Sequence, residues 1–169
     1  MIKLIKTFKN HKEIPLILAF LLALLCFFSR FNLCYIKMGS VDFVFAVSDP
    51  HITRSDIDHL KHEDYISFIF NKDNDPYVKK GLKLTKRIAC LPGEYLQETK
   101  TEVYCNNKLI GLVQPKDSKS RPVKPFLFDG SIPNGKLFVV GDNLMSYDSK
   151  YFGFIDKDWI TEKILFSIW

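Results

Sequence analysis

Beyond position 40 the chain is cut into short runs of period two, each stopped by residues that turn a backbone, and this punctuated alternation constrains the fold most. Val41 to Val47, Asp64 to Phe70, Leu82 to Cys90, Glu102 to Ile110, Lys136 to Val140 and Trp159 to Trp169 are rich in β-branched and aromatic residues. Such side chains suit a pleated, half-buried surface, so each run reads as a strand. Pro92-Gly93 ends one strand, and Asn106-Asn107 fits a two-residue hairpin because asparagine accepts positive φ. Gln114 to Pro125 is a polar, proline-punctuated loop, and Asp49 to Glu63 has room for one or two helical turns. The expected fold is mainly β: a compact, twisted, partly closed antiparallel sheet rather than an open α/β sheet.

One segment breaks this pattern. From Ile14 to Phe28 the chain carries fifteen residues without a charge, with Pro15 where the first turn of a helix tolerates it. A membrane span needs roughly 20 residues, so a cleaved signal peptide competes with an anchor. Leu25-Cys26-Phe27-Phe28-Ser29-Arg30 lacks the small residues of a cleavage site, and running the helix on toward Tyr35 supplies length. An uncleaved transmembrane helix over 14–33 is therefore expected. Lys3, Lys6, Lys9 and Lys12 precede it, which sets residues 1–13 as a basic cytoplasmic tail and 34–169 as one domain outside the membrane, in the periplasm. The lipid bilayer is then one partner. Nucleic acid is not indicated, because the net charge is only +5 and four of the basic residues lie in that tail. Cys90 and Cys105 are either a disulfide or two buried thiols.

Two features carry chemistry. Alternation through Leu84 to Cys90 puts Lys86 on the same face as Leu84, Ile88 and Cys90. A lysine there must pair, snorkel to the rim or give up its proton; a base useful near neutrality needs its pKa lowered by roughly 3 units from about 10.4. The second feature is Gly141 to Gly153. It follows the apolar run Leu137 to Val140 and holds Asp142, Asn143, Ser146, Asp148 and Ser149 in one tight turn. Read by itself it is a surface turn with an Asp148/Lys150 ion pair. Met38-Gly39-Ser40-Val41, just past the apolar segment, offers a hydroxyl near the bilayer.

Lys86-Arg87-Ile88-Ala89-Cys90-Leu91-Pro92-Gly93-Glu94 resembles the lysine box of type I signal peptidases, and Gly141-Asp142-Asn143 followed by Ser146-Tyr147-Asp148-Ser149 resembles another box of that family. Only Leu144 and Met145 separate the two halves of the second box, which is similar to the conjugative-transfer signal peptidases of the TraF type. The resemblance implies a serine/lysine dyad: Ser40 as nucleophile, Lys86 as general base, Ser146 orienting its amine, Asp148 paired with Lys150, and Gly141, Asp142 and Asn143 supporting the loop. It implies no cofactor and no metal. His59 and His62 lack a third ligand in the sequence and read as a solvated face. Implied substrates are membrane-embedded precursor proteins, for this branch a pilin, with hydrolysis and cyclisation both open. The chain departs from the family at Ser40-Val41-Asp42, where Ser-Met-Pro is usual, at Met38, Cys90 and Glu94, and at Lys150 in place of arginine. The altered nucleophile turn supports an alternative, a catalytically inactive membrane protein that keeps the fold as a scaffold in conjugation or secretion machinery. A self-cleaving regulator with the same core would need an amino-terminal DNA-binding domain, where the apolar segment stands.

Overall fold

The computed structural model describes residues 13–36 and 39–168. Among these described residues eleven strands and three α-helices form in chain order, with one 3-10 turn at Lys157–Trp159. They are α1 (Ile14–Arg30), β1 (Asn32–Tyr35), β2 (Phe45–Asp49), α2 (Arg54–Asp58), β3 (Tyr65–Ile69), β4 (Lys83–Cys90) and β5 (Tyr95–Glu98). β6 (Glu102–Cys105), β7 (Lys108–Leu112), β8 (Asp129–Ser131), β9 (Lys136–Val140), α3 (Ser149–Phe152), β10 (Ile155–Asp156) and β11 (Ile160–Ile168) follow.

The protein is mainly β, but its sheets do not close. Seven antiparallel strands run in the order β1-β2-β11-β3-β4-β9-β10, with β1 and β10 as open edges, and β7-β6-β5-β8 form a separate sheet. Alternation on β9 explains the layering. Leu137 and Val139 enter one core with Ile66, Phe68, Phe70 and Ile88, whereas Phe138 and Val140 enter another with Leu96 and Val103 of the smaller sheet and Ile132 just past β8. A central strand buried on both faces reads as a continuous apolar run, as Leu137 to Val140 does.

Asn106 and Asn107 both take positive φ, 47° and 65°, and join β6 to β7 as a two-residue hairpin. On β4 the simple alternation fails: the register against β9 shifts between Ile88 and Cys90. Such a bulge turns the following residue to the other face. Cys90 therefore leaves the face of Ile88, packs with Ala89 in the second core, and is disulfide-bonded to Cys105 of β6 with Cα atoms 5.8 Å apart.

The expected helix over 14–33 ends early. α1 stops at Arg30, and Asn32 to Tyr35 pair instead with Ser48 to Phe45 of β2. The Arg30 guanidinium grips both carboxylate oxygens of Asp49, fixing the exit from the helix. At ~1.5 Å per residue, the seventeen residues of α1 extend about 26 Å. Among the described residues no helix is long and apolar enough to cross a membrane. α1 buries none of its side chains against the domain. The basic tail lies outside the described residues, except for Glu13 at the helix start, as do Lys37 and Met38. The strand expected from Val41 begins only at Phe45, because residues 39–42 are a bend.

Candidate active site

Lys86 lies mid-strand on β4, opposite Ile66 of β3, and is only 1% exposed. Its Nζ donates a 2.7 Å hydrogen bond to Ser146 Oγ, itself buried. Burial pushes the amine down to about 8, against the opposing pull of the nearby Asp148 carboxylate; Lys150 pushes in the same direction as burial. Of the fates open to a lysine on an apolar face, this one is buried and held on a neutral hydroxyl, with no carboxylate bonded to it.

Ser146 is aimed by the segment around it. β9 ends at Val140, and the chain turns through Gly141, whose N–H donates to Asp148 Oδ2 at 2.9 Å. The turn has no room for a side chain at 141: a Cβ would stand 2.1 Å from Ser146 Oγ and 2.6 Å from the Ser40 carbonyl oxygen. Asn143 accepts from Met145 N–H through its side chain and from Ser146 N–H through its carbonyl, closing the loop. Asp148 caps α3 through Lys150 N–H and takes Lys150 Nζ at 2.7 Å. This pair is fully buried, not the surface pair that the turn by itself suggests. Ser149 Oγ accepts from Val139 N–H and locks α3 to β9.

Asp142 ties the serine turn to the lysine strand. It accepts from Arg87 Nε at 3.2 Å, from the Tyr65 hydroxyl at 2.8 Å and from Asp42 N–H at 3.1 Å, while its own N–H donates to Ser40 O at 2.8 Å. Ser40 is thereby hung on the strand end that carries Gly141. Ser40 and Lys86 line one groove of about 520 Å³ with Cys34, Tyr35, Ile36, Ser67, Lys83, Leu84 and Thr85. The amine's hydrogen bond goes to Ser146 and not to Ser40.

Two supports of the site and one buried acid escaped the sequence reading. Tyr65 stands 77 residues from Asp142 in the chain. Asp75, on the β3–β4 connection, accepts a 3.0 Å hydrogen bond from the hydroxyl of Tyr147, the residue between Ser146 and Asp148. Glu98 is buried at the end of β5, and burial pushes it up to about 8. The N–H groups of Phe126 and Leu127 face its carboxyl and favour the ionised form, but neither closes a hydrogen bond. Only Glu98 carried a signal, as the one acid of the Tyr95-Leu96-Gln97-Glu98 strand on the face of Leu96.

A buried lysine amine held on a serine oxygen beside an open groove defines a class, the lysine-based site on a β scaffold. The family model described as "Signal peptidase, peptidase S26" matches residues 10–169, and the chain belongs to that family. It is 32% identical over 130 residues to signal peptidase I of Bacillus caldolyticus, covering 68% of this chain and 64% of that one. Over 129 residues it is 31% identical to signal peptidase IB of Staphylococcus aureus, covering 65% and 61%. The chain thus spans just under two thirds of the length of these relatives. A crystal structure of a signal peptidase I from Enterococcus faecalis V583 aligns over 60% of this chain and 92% of its own, at 26% identity and a TM-score of 0.40.

Proposed function

We propose that the protein is a serine endopeptidase that removes signal or leader sequences, with Ser40 as nucleophile and Lys86 as general base. The observation carrying this reading is the 2.7 Å hydrogen bond from buried Lys86 to Ser146, in the groove that Ser40 also lines. Neutral Lys86 takes the Ser40 proton as Oγ attacks the scissile carbonyl, then returns it to the leaving amine. The acyl-enzyme is released when Lys86 draws a proton from an attacking water. Ser146 holds the amine throughout. The Ser40 N–H serves the developing oxyanion, and the Ser40 carbonyl stays fixed by Asp142 N–H.

The finer reading is a membrane-bound enzyme of the conjugative branch, acting outside the inner membrane on a pilin precursor. Its supports are the two-residue spacing between Asn143 and Ser146 and the exposed apolar faces of α1. A scaffold without activity has one observation in its favour: the amine is bonded to Ser146 while Ser40 sits in a turn without proline. An acylating penem separates the two. Stoichiometric labelling of the wild type, lost in Ser40→Ala and in Lys86→Ala, supports the enzyme; an unlabelled wild type supports the scaffold.

A further inference from the structure

We infer that Lys83, held in place by Glu162, makes the groove selective for a substrate side chain ending in an oxygen acceptor, carboxylate or carboxamide, about three residues from the cleaved bond. The inference rests on the peptidase reading. Lys83 opens β4 and lines the groove together with Ser40 and Lys86. It precedes Lys86 by three residues, about 10 Å along a strand that rises roughly 3.3 Å per residue. An extended peptide laid beside β4 advances by the same step, so its third residue from the bond at Ser40 comes level with Lys83.

This end of the groove is a built polar pocket. Lys83 Nζ is 2.6 Å from Glu162 Oε1, and Glu162 on β11 is buried. Behind the ammonium, Glu162 Oε2 accepts from Ser48 Oγ at 2.9 Å and from Cys34 Sγ at 3.4 Å, and Asn32 Nδ2 reaches Oε1 at 3.4 Å. Four donors thus converge on the carboxylate, and its charge is offset before any ligand arrives. The charged group left facing the groove is the Lys83 ammonium, on a side chain that is 43% exposed.

An ammonium carries three N–H donors and no acceptor. One meets Glu162, and among the described residues no other acceptor takes the remaining two. Beside it Ser67 Oγ and Thr85 Oγ1 are 2.9 Å apart and share one proton, so the second hydroxyl proton is available as a further donor. Leftover donors on a cation are the complement of a side-chain oxygen, and a substrate ammonium would meet Lys83 as a like charge. Tyr35, Ile36 and Leu84 line the same groove and offer apolar contact to the methylenes that carry that oxygen.

The test is the specificity of the full-length protein, in detergent, toward synthetic peptides with one cleavage site between small residues. Glu, Gln, Leu or Lys is placed three residues before that site in one series and three after it in another. In one series kcat/KM for Glu and for Gln should exceed that for Leu at least about fivefold, with Lys lowest. Leu equal to or better than Glu and Gln in both series would overturn the inference, and this outcome needs no variant. Lys83→Arg should keep the ranking. Lys83→Met combined with Glu162→Gln removes both charges without stranding a buried carboxylate, and should bring Glu and Gln level with Leu; a ranking that survives there would overturn the role of Lys83. Affinity of the same peptides for Ser40→Ala, read by fluorescence anisotropy, separates this inference from the reading beneath it. Ranked binding without turnover by the wild type removes the peptidase and keeps the groove's preference; turnover without ranking does the reverse, and absence of both removes both.

Discussion

At the scale of single residues the balance that matters is at Lys86. Burial costs the ammonium more than Asp148 returns, so the amine titrates at about 8 instead of its usual 10.5. On the proposed dyad only the neutral amine accepts the Ser40 proton, so kcat/KM should climb about tenfold per pH unit below 8 and level off above it. A profile flat from pH 6 to 9 would remove Lys86 from the base role. Ser146→Ala leaves the amine without its partner; a buried hydrogen bond to a charged or reacting group is worth about 1.5–3 kcal/mol, so kcat should fall roughly ten- to hundredfold with KM little changed. Gly141→Ala should do greater damage, because its Cβ would have to occupy space held by Ser146 Oγ and the Ser40 carbonyl. Loss of both activity and thermal stability is the expected readout. Lys86 was visible in the sequence because a lone charge interrupts an alternating apolar set. The closure around Gly141 was not, because close approach between segments 100 residues apart leaves no local pattern.

At the scale of elements, β5 carries a second buried charge problem. Glu98 is held at about 8 by burial, against 4.5 for the free side chain. Its folded pKa is raised, so the native state binds the extra proton between pH 4.5 and 8. Stability should therefore be highest below that window and decline as pH rises through it, by at most about 1.4 kcal/mol per pH unit from this group. Glu98→Gln should flatten the decline in a series of denaturant titrations; an unchanged slope would show that another group is responsible. The connection from β3 to β4 makes a different contribution. Asp75 accepts from the Tyr147 hydroxyl and from Tyr77 and Val78 N–H, and so ties the Ser146 loop to the lead-in of the lysine strand. Tyr147→Phe should lower kcat several-fold and leave the fold intact, as read by turnover alongside thermal melting. Elements with periodic sequence, such as β3, β4, β9 and the Asn106-Asn107 hairpin, were readable in advance. β1, β8 and β10 are two to four residues long, too short for a period to register, and exist because β2, β5 and β9 offer them edges. The bulge that redirects Cys90 was equally hidden, since it depends on the register with β9.

At the scale of the whole molecule, the amino-terminal helix and the domain are nearly independent. α1 has no buried residue and is tied to the body chiefly by Arg30 on Asp49. Most of its leucines and phenylalanines are exposed, as are Leu33, Tyr35, Phe45, Leu165 and Phe166 of the strands β1, β2 and β11. A variant lacking the helix should keep the thermal midpoint of the domain while partitioning far less to lipid vesicles; a collapse in stability would mean that the helix packs on the domain after all. The apolar run was plain in the sequence, but where it ends was not. Phe31 and Leu33 continue the hydropathy of the helix, and only pairing with β2 converts residues 32–35 into a strand. The central claim, that Ser40 and Lys86 together cleave a peptide bond, is tested most directly by co-expressing a pilin precursor with wild type, Ser40→Ala or Lys86→Ala and resolving precursor from product. Cleavage by wild type alone, with both variants at least about 10³-fold slower, is the result expected; full cleavage by either variant, with the protein present at wild-type level, would contradict the account.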